Sequence, residues 1–204
     1  MSSINKIFLL IITIILSSTN FISSSFSTLQ STSPNANNTN FIKTLCNTTT
    51  YPSLCRKTCI PYASKIACDT RKLTSSALSA TLSAANSTSL AISNLSRRRN
   101  LTKFEINVVN DCMESIGDSI DDLNKSIDQI NEIIYSKNKD NSDYFRFKVS
   151  NIKTWMSACV TNENTCMEGV EEGNVSPYVK DRLTKSILSV VKLTRNALSL
   201  CNHL

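Results

Sequence analysis

Apolar residues recur at helical spacing along most of this chain, and four stretches hold a single apolar stripe over many turns. The first is built of small residues: Leu73, Ala77, Ala80, Ala84, Ala91 and Leu95, flanked by Leu78, Ala85 and Ile92. That is a heptad seam, and it lets a neighbouring helix approach closely. The second runs Phe104, Val108, Cys112, Ile116, Ile120, Leu123, Ile127, Ile130 and Ile134. The third takes in Phe145, Val149, Ile152, Trp155, Met156, Cys159, Cys166 and Val170, with the polar run 161–165 set inside it without breaking it. Val179, Leu183, Ile187, Val190, Ala197 and Cys201 form the fourth.

The punctuation between the stripes agrees. Residues 97–100 and 137–142 are polar connections, and Thr102 with Glu105 three residues on has capping-box spacing. Gly173 after Glu172 suits the C′ position of a helix end, and Ser176-Pro177 reads as N-cap and N1. Ahead of Thr70, residues 41–46 and those from Cys55 form two short apolar turns about a break at 48–52. No stretch sustains period-two alternation, and three glycines in 204 residues leave little for strand turns. The pattern predicts an all-α protein: an antiparallel up-down-up-down four-helix bundle over 70–204, preceded by a helical hairpin over 41–69.

The first 40 residues do not belong to that pattern. Lys6 precedes an apolar run at 7–16 interrupted only by Thr13. A membrane span needs roughly twenty such residues, so the run reads as a signal peptide over 1–25, with an uncleaved anchor as the alternative. Residues 26–40 are mostly Ser, Thr, Asn and Pro with little to bury, and are expected to be a disordered leader. Once the leader is removed, no membrane association is expected.

Charge and composition mainly exclude. The net charge of +6 comes from 22 bases interleaved with 16 acids, and the one basic cluster, Arg97-Arg98-Arg99, falls in a connection. That argues for a solvated loop and against nucleic acid. His203 is the only histidine, which leaves no Ser-His-Asp or Cys-His set. The glycine count excludes phosphate loops. The adjacent acids Asp121-Asp122 and Glu171-Glu172 point about 100° apart on a helix and read as solvated surface. No enzyme activity and no cofactor is expected.

Eight cysteines behind a secretory leader point to disulfides, and without CxxC pairs or further histidines a zinc site lacks ligands. Cys46 and Cys55 flank a Pro-containing break that a tight hairpin can close. Cys112 and Cys166 sit at bundle heights that agree within roughly one turn, so a bridge between the second and third long helices is available. Cys68 and Cys201 both fall at the opposite end of the bundle, with Cys59–Cys68 as a rival pairing, whereas Cys159 sits too far up to meet Cys201. Sequons at Asn37, Asn47, Asn86, Asn94, Asn100, Asn124 and Asn174 offer N-glycan acceptors. One surface feature stands out: Glu114, Asp118, Asp121 and Asp128 form an acidic row on a basic protein. It is either an ordinary solvated face or a docking face for a basic partner.

The strings CNTTTYPSLC (46–55), PYASKIA (61–67), VVNDC (108–112) and TWMSACVTNENTC (154–166), in that order, resemble the plant invertase and pectin methylesterase inhibitor family. The resemblance spans about 41–204. It implies a secreted, disulfide-stapled four-helix bundle with bridges Cys46–Cys55 and Cys112–Cys166. The last string is closer to the pectin methylesterase inhibitor branch. The Pro-Lys-Phe motif of the invertase branch is absent, its nearest counterpart being Arg146-Phe147-Lys148. The implied function is blockade of the substrate cleft of a cell-wall pectin methylesterase in the apoplast, with invertase as the alternative partner. A lipid carrier is a poorer match, because its adjacent-cysteine strings are missing. The implied contact surface lies on the second and third long helices: Glu114, Asp118 and Asp121 with Asn162, Thr165 and Glu168. Cys59, Cys68, Cys159 and Cys201 depart from the family pattern and leave their own pairing open.

Overall fold

In the computed structural model the described residues are 34–135 and 142–204. The expected signal peptide, the start of the leader and most of the polar connection at 137–142 lie outside them. Everything described is helix and short connection. A hairpin of α1 (Pro34–Cys46) and α2 (Pro52–Cys59) leads through a 3₁₀ turn (Ile60–Tyr62) into α3 (Ala63–Ile66). Four long helices follow: α4 (Thr70–Ser96), α5 (Lys103–Tyr135), α6 (Ser142–Glu172) and α7 (Pro177–Cys201). Each long helix packs on the next and α7 closes back on α4, so the bundle runs up-down-up-down as the stripes predict.

The helix ends are set by local chemistry. Asp69 caps α4 by accepting from the Arg71 and Lys72 amides at 2.8 and 3.3 Å. The capping box before α5 is closed both ways: Thr102 N donates to Glu105 Oε2 at 2.8 Å and Glu105 N to Thr102 Oγ1 at 3.1 Å. Glu105 also reaches across the bundle to accept from Ser176 N at 2.9 Å, joining the start of α5 to the start of α7. These bonds, from Ser176 first and then Thr102, hold its carboxyl down to about 2. Gly173 does follow α6, but for a different reason than expected. It has no positive φ. A Cβ there would meet the Gly169 carbonyl at 2.6 Å and the Phe104 ring at 3.1 Å, so close approach demands glycine.

The structure departs from expectation at the leader. Residues 34–40, expected to be disordered, are the first turns of α1. Thr39 and Thr44 bond back to the Asn35 and Asn40 carbonyls at 2.9 and 3.0 Å, and Asn38 Oδ1 accepts from the Cys68 thiol at 3.2 Å. The hairpin itself is pinned to α7 by buried Asn196. Its Nδ2 donates to Tyr51 O at 2.9 Å and its Oδ1 accepts from Tyr51 N at 2.8 Å.

The core is two apolar clusters stacked along the bundle. One joins the hairpin (Ile42, Ile66) to the near half of the bundle (Leu78, Leu123, Ile152, Met156). The other fills the far half around Ile92, Ile116, Val170 and Leu183. Truncating a fully buried residue such as Leu123 to alanine would remove about 2–5 kcal/mol. Between the clusters every long helix contributes a buried polar residue: Thr88, Ser119, Glu163 and Thr194. The α4 stripe is correspondingly rotated from the expected alanine seam. Thr74, Thr81 and Thr88 face inward at heptad spacing while Ala91 is exposed. Thr81 satisfies its hydroxyl on the Ala77 carbonyl at 2.8 Å, so a threonine serves there as a core residue.

Candidate functional site

The disulfides are Cys46–Cys55 and Cys112–Cys166, with Cα–Cα distances of 5.4 and 4.7 Å. Cys59, Cys68, Cys159 and Cys201 are free, so neither Cys68–Cys201 nor Cys59–Cys68 forms. Cys68, in a left-handed pair with Ala67 (φ of 57° and 50°), is exposed and gives its thiol to Asn38, whereas Cys59 and Cys201 are buried. Desolvation raises the buried thiols of Cys59, to about 11, of Cys159, and of Cys201, to about 12. Among the described residues, the group with metal-ligand spacing is Cys46, Cys55 and Cys59, and two of its sulfurs are bonded to each other.

The second disulfide fixes the register of α5 against α6. Seven residues along each helix from that bond, Ser119 meets Cys159. Ser119 Oγ donates to Cys159 O at 3.5 Å, and Cys159 Sγ to Ser119 O at 3.4 Å. Running the antiparallel pair between these ties puts Glu114 level with the turn from Asn162 to Thr165. Asp118 then lies below that turn, Asp121 lower still, and Glu168 above it. The six residues span roughly 17 Å along the bundle. Five of the six are exposed and Asn162 is half-buried. Helical spacing puts Glu114, Asp118 and Asp121 on the side of α5 away from buried Ile116, Ser119 and Leu123.

Electrostatically the face is more negative than the row alone. Along α5, Asp111, Glu114, Asp118, Asp121, Asp122 and Asp128 stand against Lys103 and Lys125, while Glu105 is buried in the cap and Glu132 pairs with Lys148. Lys125 bonds Asp122 at 2.9 Å, and Asp122, Asp121 and Asp118 together raise its pKa. It therefore neutralises the lower end of the row and leaves Glu114 uncompensated. At the end of α6, Glu171 and Glu172 are exposed with no base in the last turn. Acids there oppose the helix dipole at roughly 0.3–1 kcal/mol each. Gly169, exposed on α6, has nothing within 4 Å of a Cβ position, and so does Gly117 on α5. A helix-interior glycine with no close neighbour is worth roughly 0.5–1 kcal/mol less than alanine, and packing within this chain does not require it. The larger grooves lie elsewhere. One of about 690 Å³ is lined by Phe145, Arg146, Phe147 and Lys153, and one of about 420 Å³ by Tyr62 and the serines of α4. The acidic face is thus suited to meeting another surface, not to enclosing a small molecule.

Sequence reasoning missed Glu163. It is fully buried, accepts from Thr194 Oγ1 at 2.6 Å through Oε1, and leaves Oε2 without a partner. Desolvation outweighs the Thr194 bond and the Arg195 charge and lifts its carboxyl to about 7. The signal was available, because Glu163 lies four residues after Cys159 and three before Cys166, inside the stripe. All seven sequon asparagines are exposed, and Asn124 stands beside the acidic row, one turn from Asp121. Among the described residues no helix is long and apolar enough to cross a membrane.

Comparison with known proteins bears on what this face meets. The family described as plant invertase/pectin methylesterase inhibitor matches residues 40–200. Pectinesterase inhibitor 4 of Arabidopsis thaliana is 38% identical over 184 residues, covering 89% of this chain and 90% of that protein. Pectinesterase inhibitor 10 of the same plant is 41% identical over 172 residues, 84% of this chain but 53% of that protein, so the chain spans about half of that relative. The crystal structure of a mutant form of a pectin methylesterase inhibitor from Arabidopsis superposes with a TM-score of 0.61 at 16% identity, over 80% of this chain and 96% of the other.

Proposed function

Since the chain belongs to the plant invertase/pectin methylesterase inhibitor family, an inhibitor family and not an enzyme family, we propose that its target is a cell-wall pectin methylesterase. On this reading the α5–α6 face lies across the enzyme's substrate cleft. The observation that carries it is the 38–41% identity to proteins named pectinesterase inhibitors across most of this chain. Three features of the face support it: its uncompensated carboxylates, the acids set against the α6 dipole, and the open glycine beside them. Carboxylates such as Glu114, Asp118 and Asp121 pair with bases at the cleft rim, while the body of the bundle excludes the polysaccharide. Asn162, Thr165 and Glu168 extend the contact on α6. An invertase is the alternative target within the family. The protein acts in the apoplast as a secreted, N-glycosylated chain, and a glycan on Asn124 would border the lower end of the face.

The test is a parallel titration of the folded protein into pectin methylesterase and invertase assays, beside two triple variants. Glu114→Lys, Asp118→Lys and Asp121→Lys together should weaken inhibition at least about tenfold, since each exposed pair is worth about 0.2–1 kcal/mol and reversal adds repulsion. Lys180→Glu, Arg182→Glu and Lys185→Glu on α7 should leave it unchanged. Inhibition of invertase alone would replace the target. A folded α5 triple that inhibits like wild type would move the interface elsewhere.

A further inference from the structure

Three sulfurs crowd the base of the hairpin. Those of Cys46, Cys55 and Cys59 all lie within 4.8 Å of one another, yet only the first two are bonded. Cys55 and Cys59 stand four residues apart on α2, one turn above the other on one face, and Cys46 faces them from the end of α1. All three are buried, Cys59 to 1% exposure. Beside them lies a small cavity of about 10 Å³, lined by Cys55 and Cys59 with Ala77, Leu193 and Leu200 among others.

We propose that this cluster is a thiol–disulfide exchange site, at which Cys59 displaces Cys55 from Cys46 to give a second, Cys46–Cys59 form of the hairpin staple. The Cys59 thiol gives its proton to a solvent base, and the thiolate electron pair forms the new bond to Cys46 Sγ. The electron pair of the old bond leaves with Cys55 Sγ, which takes up a proton. The step is an isomerisation and consumes no oxidant or reductant. Cys46 is the sulfur attacked, because attack on Cys55 would bridge two residues of one helix whose Cα atoms are about 6 Å apart with parallel Cβ directions, a poor disulfide geometry. Exchange slides the staple one turn, about 5.4 Å, along α2 while still tying α1 to α2. Burial keeps Cys59 protonated near neutral pH, so the hairpin holds its Cys46–Cys55 form there and exchanges faster as pH rises.

The test uses the oxidised full chain. Exposed Cys68 is first blocked with iodoacetamide at pH 7, and N-ethylmaleimide is then added at pH 7 or pH 9. Peptides are mapped without reduction. The expected product has Cys46 linked to Cys59 and the maleimide on Cys55, forming on the order of 100-fold faster at pH 9 than at pH 7. Maleimide on Cys59 with Cys46–Cys55 intact at both pH values would overturn the proposal. A second measurement uses Cys55→Ser refolded in a glutathione buffer. Quantitative Cys46–Cys59 in a folded variant supports the site, and a folded variant in which Cys59 stays free of Cys46 overturns it. If the variant does not fold, the maleimide mapping of the native chain decides.

Discussion

The Cys46–Cys55 bridge closes nine residues within one hairpin, whereas Cys112–Cys166 spans 54 residues and joins two long helices. In the chain-entropy account the first stabilises by about 3 kcal/mol and the second by about 4 kcal/mol through the unfolded state. The surroundings differ more than the energies. At the hairpin the bridge sits among further restraints: a third sulfur, buried Ile42 and the two Tyr51–Asn196 hydrogen bonds. At the α5–α6 end one bridge sets the level at which Glu114 stands against Asn162 and Thr165. The hairpin staple holds the fold, and the bundle staple positions a surface.

Removing each bridge separates those roles. Cys112→Ser with Cys166→Ser should lower unfolding free energy by about 4 kcal/mol in urea denaturation and weaken inhibition beyond what loss of folded protein explains. Cys46→Ser with Cys55→Ser, made in a Cys59→Ser background, should cost about 3 kcal/mol and leave the folded fraction fully inhibitory. If the hairpin variant loses inhibition while still folded, the division fails.

The two acidic regions sharpen the comparison. Glu114 is solvated on the outside of α5, whereas Glu163 is sealed between α6 and α7. With its folded pKa raised to about 7, Glu163 contributes stability fully present below its unfolded value near 4.5 and lost as pH rises through 7. Glu163→Gln keeps an acceptor for Thr194 and removes the titration. It should therefore stabilise by up to about 3 kcal/mol at pH 8, with the gain vanishing near pH 4. Urea midpoints across that pH range measure it. A constant difference at all pH values would show that the buried carboxyl does not titrate there.

Glu163 also marks where the sequence was legible. The four long helices follow from period alone, because an amphipathic helix must repeat its apolar side every turn. The same period reaches Glu163, but the expected alanine seam missed Thr74, Thr81 and Thr88, whose chemistry reads as surface. Partners on α7 explain the burial of Glu163 and Thr88 and the Ala77 carbonyl that of Thr81, while the Thr74 hydroxyl has no partner. Bundle height was enough to set Cys112 beside Cys166. It was not enough for Cys68, which is exposed in a left-handed pair that carries no glycine or asparagine signal. Asn196 holding Tyr51 across 145 residues has no local signature at all. The acidic row was visible, but a row of exposed carboxylates has one pattern whether it meets water or a protein.

A smaller effect should come from the cap that joins the starts of α5 and α7. Glu105 has its folded pKa lowered to about 2, so its contribution is present above the unfolded value near 4.5 and lost as pH falls through 2. Glu105→Gln should lower the Tm by a few degrees at neutral pH, with the difference shrinking toward pH 2. Calorimetry across pH 2–7 would show it, and a pH-independent deficit would assign the role to shape and not to charge.

The smallest change in stability gives the finest test of the face. Gly169 stands seven residues, and so about two turns, above Asn162 on α6, with open space over it. Gly117 on α5 is equally open, and it stands three residues after Glu114 and four before Asp121, so it borders the acidic row. Either glycine replaced by alanine should stabilise by up to about 1 kcal/mol, because the helix gains propensity and nothing is met. Tryptophan at either site should likewise fold. They act when a partner arrives: Gly169→Trp and Gly117→Trp should each weaken inhibition of pectin methylesterase at least tenfold. Wild-type inhibition by both would mean that no partner closes over the α5–α6 face. Loss at Gly117 alone would move the contact to the α4 side of the bundle.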